Sequence, residues 1–296
     1  MAKHLRQAPA MYRGRPGCEG RTVIKRMVGA AARAFLVAML IALPAVMLPG
    51  VLNETAQMVA LLALVAALLT FVEYVADYPS LIEFRNAPPF NRMRFVALFV
   101  TIVLLTLISR GQTYPTVFSD VLTMMGMRIG EAMDFPFSPV RLMVLTAPAD
   151  ASFAEFEMLR THAGLAYLIS LTTLLFFVVL VRLLDWPIRK GAFNFWINLP
   201  LFDPTAGGDV IARLKRDSHV NVALGFLLPF LIPAVLKIAA VYTTPLSIGE
   251  PQTLIWTMSA WAFLPASLIM RGVALMRIAD LIEEKRRRAY SQAQVV

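Results

Sequence analysis

The chain has 296 residues, 58% apolar and 16% charged, with a mean hydropathy of +0.66. A soluble domain is typically about half apolar and a quarter charged, so this composition excludes a water-soluble globule, and the surplus falls in long apolar blocks that mark a membrane protein. The formal net charge is +9 and the one cysteine is Cys18, which excludes an internal disulfide and a cysteine-based metal cluster.

Residues 1–33 read as a disordered, basic cytoplasmic tail with 8 Lys/Arg. Pro9, Gly14, Pro16, Gly17 and Gly20 argue against the amphipathic helix of a transit peptide, and no small-residue cleavage site precedes a soluble domain. A membrane domain then fills 34–276, with spans at 34–52, 56–76, 95–109, 163–181, 220–242 and 253–270. A hydrocarbon core about 30 Å thick needs roughly 20 helical residues. The third span is short, and Arg94 and Arg110 at its ends are expected to snorkel toward headgroups. Runs this continuous are not alternating barrel strands, which leaves an all-α bundle of six transmembrane helices. Residues 277–296 form a basic cytoplasmic C-terminal tail.

Charge gives the bundle a direction. Segments 1–33, 77–94, 182–219 and 271–296 carry 23 Lys/Arg and 10 Asp/Glu, whereas 53–55, 110–162 and 243–252 carry 4 and 8. Positive residues are retained on the cytoplasmic side, so both termini are expected to be cytoplasmic and the membrane to be the inner one. The basic segments also suit anionic lipid headgroups at that face. No folded reader or aromatic platform for nucleic acid accompanies them.

The loops after the second and fourth spans repeat one pattern. Asp77, Tyr78 and Pro79 match Asp185, Trp186 and Pro187, and Asn86, Pro88 and Phe90 match Asn198, Pro200 and Phe202. The Asp-to-Asn spacing is 9 in the first and 13 in the second. A residue before proline avoids the α region, so Asp-aromatic-Pro ends a helix; the aromatic ring suits the headgroup boundary, and Asn with Pro makes a second turn. With Phe195 and Trp196, "FNFWINLPLF" is too apolar for a solvated loop and is expected on the membrane surface or against a partner.

Between the third and fourth spans, Val117, Val121, Met124, Met125, Arg128 and Ala132 fall near one helical face, which predicts an interfacial amphipathic helix. Met124, Met125, Met127, Met133 and Met143 suggest a soft-metal site, but without Cys or paired His the plainer reading is apolar packing. In the fifth span, Pro229 and Pro233 free the carbonyls of Gly225 and Pro229, and Lys237 stands roughly 9 Å from the outer end by helical rise. Glu73, Lys237 and Arg271 each lie near enough to a span end to be anchors or local ion pairs.

The three histidines, His4, His162 and His219, are dispersed, and no H-E-x-x-H, G-x-S-x-G or P-loop occurs. No metal or cofactor is expected. The functional expectation is a non-enzymatic accessory, assembly or regulatory subunit that binds other integral membrane proteins through the two cytoplasmic hairpins. The alternative is a small-solute or lipid transporter using Gly225, Pro229, Pro233 and Lys237 in a broken fifth helix. A third reading is a lipid-modifying enzyme acting through Asp77, Asp185 or Asp209.

Overall fold

The computed structural model describes residues 16–183, 186–187, 194–203, 208–242 and 250–293. Among them are nine helices and no strand: α1 (Pro16–Met47), α2 (Asn53–Val75), α3 (Phe90–Gly111), α4 (Val117–Met133), α5 (Pro139–Val144), α6 (Phe153–Leu183), α7 (Phe195–Asn198), α8 (Val210–Tyr242) and α9 (Pro251–Ala293). Six of these, α1, α2, α3, α6, α8 and α9, are long and apolar enough to cross a membrane.

The helices outrun the apolar blocks, mostly at the basic end. Helix α1 starts at Pro16, inside the stretch expected to be a disordered tail. Helix α9 continues to Ala293, roughly 65 Å in all by helical rise. Its last turns therefore extend past a hydrocarbon core about 30 Å thick.

Arg94 departs from its expected role. Helix α3 begins at Phe90, so Arg94 lies within it, with its guanidinium 5.4 Å from the Phe90 ring and 5.7 Å from the Phe263 ring. Aromatic faces attract the cation, so Arg94 turns into the protein rather than snorkelling out.

Helix α9 is central, packing against α8, α6 and α3, while among the described helices α2 packs only against α1. One apolar core, around Ile102, Leu105, Leu159, Ile255 and Trp261, joins α3, α6 and α9, with the Tyr167 and Trp261 rings stacked at 5.5 Å. Helices α8 and α9 touch through glycine: a Cβ on Gly225 would meet the Pro265 carbonyl oxygen at 2.6 Å.

Helix α4 forms where the periodicity places it, capped by Thr116 and Ser119, each side chain bonding the other's backbone N–H. Its inward face is Ser119, packed against Gly111 of α3, with Gly126 and Gly130 packed on α6, and Val117, Val121, Met124 and Met125 point away from the protein. The methionines do not converge, because Met143 is buried in the core while Met124, Met125 and Met127 are exposed.

Candidate functional site at the basic end of the bundle

The two repeated hairpins meet and lock onto one another. Asn198 is buried, its side-chain carbonyl accepts the Asn86 backbone N–H at 2.9 Å, and its backbone carbonyl accepts the Phe84 N–H at 2.7 Å. Its amide donates to the Asn194 carbonyl at 3.0 Å, closing α7. In return the Trp186 indole N–H donates to the Ala87 and Pro88 carbonyls at 3.3 and 3.2 Å. Each hairpin also holds one cis X-Pro bond, Pro88–Pro89 and Trp186–Pro187.

An aromatic cluster fills the joint. The Phe84 and Phe90 rings are 4.4 Å apart, and Trp186 lies 5.6 Å from Phe84 and 5.6 Å from Phe177. Leu199, Leu214, Leu275 and Ile278 close the surrounding core. Phe84 takes φ of 54°, the left-handed region that a bulky residue enters at a cost on the order of 1–3 kcal/mol. Its buried ring and its hydrogen bond to Asn198 hold it there.

Arginines of α9 and α1 tie the lock to the bundle. Arg271 makes a two-pronged bond to Glu83 at 2.6 and 2.8 Å, and Arg277 donates to the Trp186 carbonyl at 3.2 Å. Arg26 bonds the Asp77 carboxylate at 2.8 Å and the Ala76 carbonyl. The Glu73 carboxylate accepts from the Ser80 hydroxyl and from the backbone N–H groups of Ser80, Leu81 and Ile82. Arg85 reaches not that carboxylate but the Glu73 and Ala76 backbone carbonyls, both at 2.7 Å.

The expected docking residues therefore divide. Pro79, Phe90, Trp186, Asn198 and Phe202 are buried inside this protein's own core and are not a surface for a partner. Pro187, Phe195 and Pro200 are half-buried. Asp77, Tyr78, Asn86, Pro88 and Trp196 remain exposed, Tyr78 by 72% and Trp196 by 54%. Asp185 lies outside the described residues. The matching positions Tyr78 and Trp186 have opposite environments, so the repeat in sequence is not a symmetric site.

Compared with protein-family models, with curated proteins and with solved structures, the chain matches none.

The residues of the other readings are engaged structurally. Helix α8 runs through both prolines, and the Pro229 carbonyl, left without its helical donor by Pro233, accepts the Trp261 indole N–H at 3.0 Å. Lys237 donates to the Ala147 carbonyl at 3.2 Å. Asp209 pairs with Arg286 at 2.9 Å, a hydrogen bond that holds its carboxyl below the usual range. Among the described residues no three His, Cys, Asp or Glu gather closely enough to hold a metal ion.

Two relationships escaped sequence reasoning. Glu83 and Arg271 are 188 residues apart, and an acid in a hairpin gives no hint of a partner so far along the chain. At the acidic end, buried His162 bonds Ser109 at 2.9 Å and the Met158 carbonyl at 2.9 Å, joining α6 to α3. A histidine immediately before an apolar run was the available signal.

Proposed function

We propose that this is a non-enzymatic inner-membrane protein, both termini cytoplasmic, that binds other integral membrane proteins as an accessory, assembly or regulatory subunit. The observation that carries the reading is the one-sided attachment of α2. Among the described helices it touches only α1, and Leu61, Leu62, Val65, Leu68, Leu69 and Val72 are not covered by any described residue. Arg26 and Arg85 pin its C-terminal carbonyls, so the uncovered face is held in a fixed direction. Helix association in lipid rests on close packing, and a rigid face forfeits less entropy on packing than a mobile one. The bias of basic residues toward one end supports the cytoplasmic placement of the termini. Tyr78 and Trp196, exposed at that end, suit the headgroup boundary.

A photo-crosslinking residue at Leu62 or Leu69, activated in native membranes, tests the reading. One discrete protein adduct shared by both positions is expected, with lipid adducts only at Leu175, which is exposed on α6. Lipid adducts alone at all three positions would count against a partner on α2.

A further inference from the structure

Where α1 passes the C-terminus of α2, the two helices, the 75–91 hairpin and α7 enclose a cleft of about 560 Å³. Lys25, Arg26 and Arg33 line it from α1 and Arg85 from the hairpin, and among the described residues the carboxylate in the lining is that of Asp77. Asp77 is already paired with Arg26. The nearby Glu73 carboxylate directs its hydrogen bonds to the Ser80–Ile82 backbone and to the Ser80 hydroxyl, not to a guanidinium.

Part of this charge has a structural use. Arg26 and Arg85 donate to the carbonyls of Glu73, Tyr74 and Ala76, the orphan acceptors at the end of α2. That explains two of the cations and leaves the others. Arg33 reaches the Gly29 carbonyl of its own helix and lies 4.7 Å over the Tyr74 ring. Lys25 stands at the cleft rim, exposed. Burial, and after it the facing Arg26, draw Arg85 below the usual guanidinium value.

We infer that this cleft binds the phosphate headgroup of an anionic phospholipid, with Lys25 and Arg33 as its contacts and Arg26 and Arg85 completing the positive field. Guanidinium groups match phosphate oxygens in charge and fork geometry. On α1 the exposed Leu36 follows Arg33 by three residues and so lies next to it on the same side of the helix, giving an attached acyl chain an apolar surface. A soluble phosphate gains nothing from that surface.

Native mass spectrometry of the full-length protein in mild detergent, titrated with phosphatidylglycerol and phosphatidylcholine of equal chain length, tests the assignment. The wild type is expected to hold phosphatidylglycerol roughly tenfold more tightly or better, since each basic residue near an anionic headgroup contributes about a fivefold preference. Lys25→Gln with Arg33→Gln leaves every bond to the α2 carbonyls in place and is expected to remove most of that preference. Arg287→Gln with Arg288→Gln, the same charge removed outside the cleft, is expected to keep it. Equal retention of the two lipids by the wild type, or equal loss in the two double variants, overturns the site. Displacement of phosphatidylglycerol by inorganic phosphate at matched concentration makes the ligand a free anion and overturns the lipid assignment.

Discussion

Asn198 serves two positions of the other hairpin at once, taking the Asn86 N–H on its side chain and the Phe84 N–H on its backbone carbonyl. The contact spans 112 residues of chain. Asn198→Ala removes the side-chain acceptor and leaves a partly buried N–H unpaired, at about 1–3 kcal/mol. A lower unfolding temperature of the solubilised protein is expected, with faster proteolysis within 75–91. An unchanged melting curve and cleavage pattern would show that the aromatic cluster alone holds the joint.

Trp186 separates the two contributions to that joint. Trp186→Phe keeps a ring among Phe84, Phe90 and Phe177 but loses the indole donor, at about 1 kcal/mol. Trp186→Ala also empties a core position, at about 3–5 kcal/mol. Chemical denaturation of the two variants should rank them in that order. Equal losses would mean that the hydrogen bond to Ala87 and Pro88 dominates.

Hydropathy located all six long helices because a lipid core demands continuous apolar runs. It was blind to their ends, where α1 and α9 continue as polar helix and where Arg94 is held between aromatic rings. The repeated hairpin is visible in the sequence, where its apolar character suits the membrane surface or a partner. Each hairpin instead covers the other, a pairing that local pattern cannot reveal. On α4 the face chosen by hydrophobicity points away from the protein, since close helix contact there uses Gly126 and Gly130, which an apolar count ignores.

The Glu83–Arg271 pair is half-hidden, with side chains 10% and 27% exposed. Removing one partner from a buried pair costs about 3–5 kcal/mol because the other charge stays desolvated, and the remaining exposure here lowers that toward roughly 2 kcal/mol. Glu83→Gln and Arg271→Gln should each destabilise by this order, and the double variant by clearly less than their sum. Additive losses in the double-mutant cycle would mean that the two side chains do not act as a pair.

Glycine on α4 and α6 makes a prediction independent of the hairpins. A Cβ on Gly164 would stand 2.6 Å from the Gly130 Cα, and one on Gly130 would stand 2.9 Å from the Arg160 carbonyl oxygen. Both obstacles are backbone, so no side-chain rotation relieves them and α4 must move away from α6. Overpacking of this kind costs typically about 1–3 kcal/mol. Gly164→Ala should therefore speed hydrogen exchange across 117–133 by roughly fivefold to a hundredfold, as that free energy converts to an opening equilibrium. Arg160 would also be carried away from Glu131 and Asp134, which it meets at 3.7 and 3.9 Å, loosening the ionic contacts that join α4 to α6. Met125→Ala, on the exposed face of α4, should leave exchange unchanged. Equal exchange in Gly164→Ala and wild type would mean that α4 is held by other contacts and not by the glycine contact.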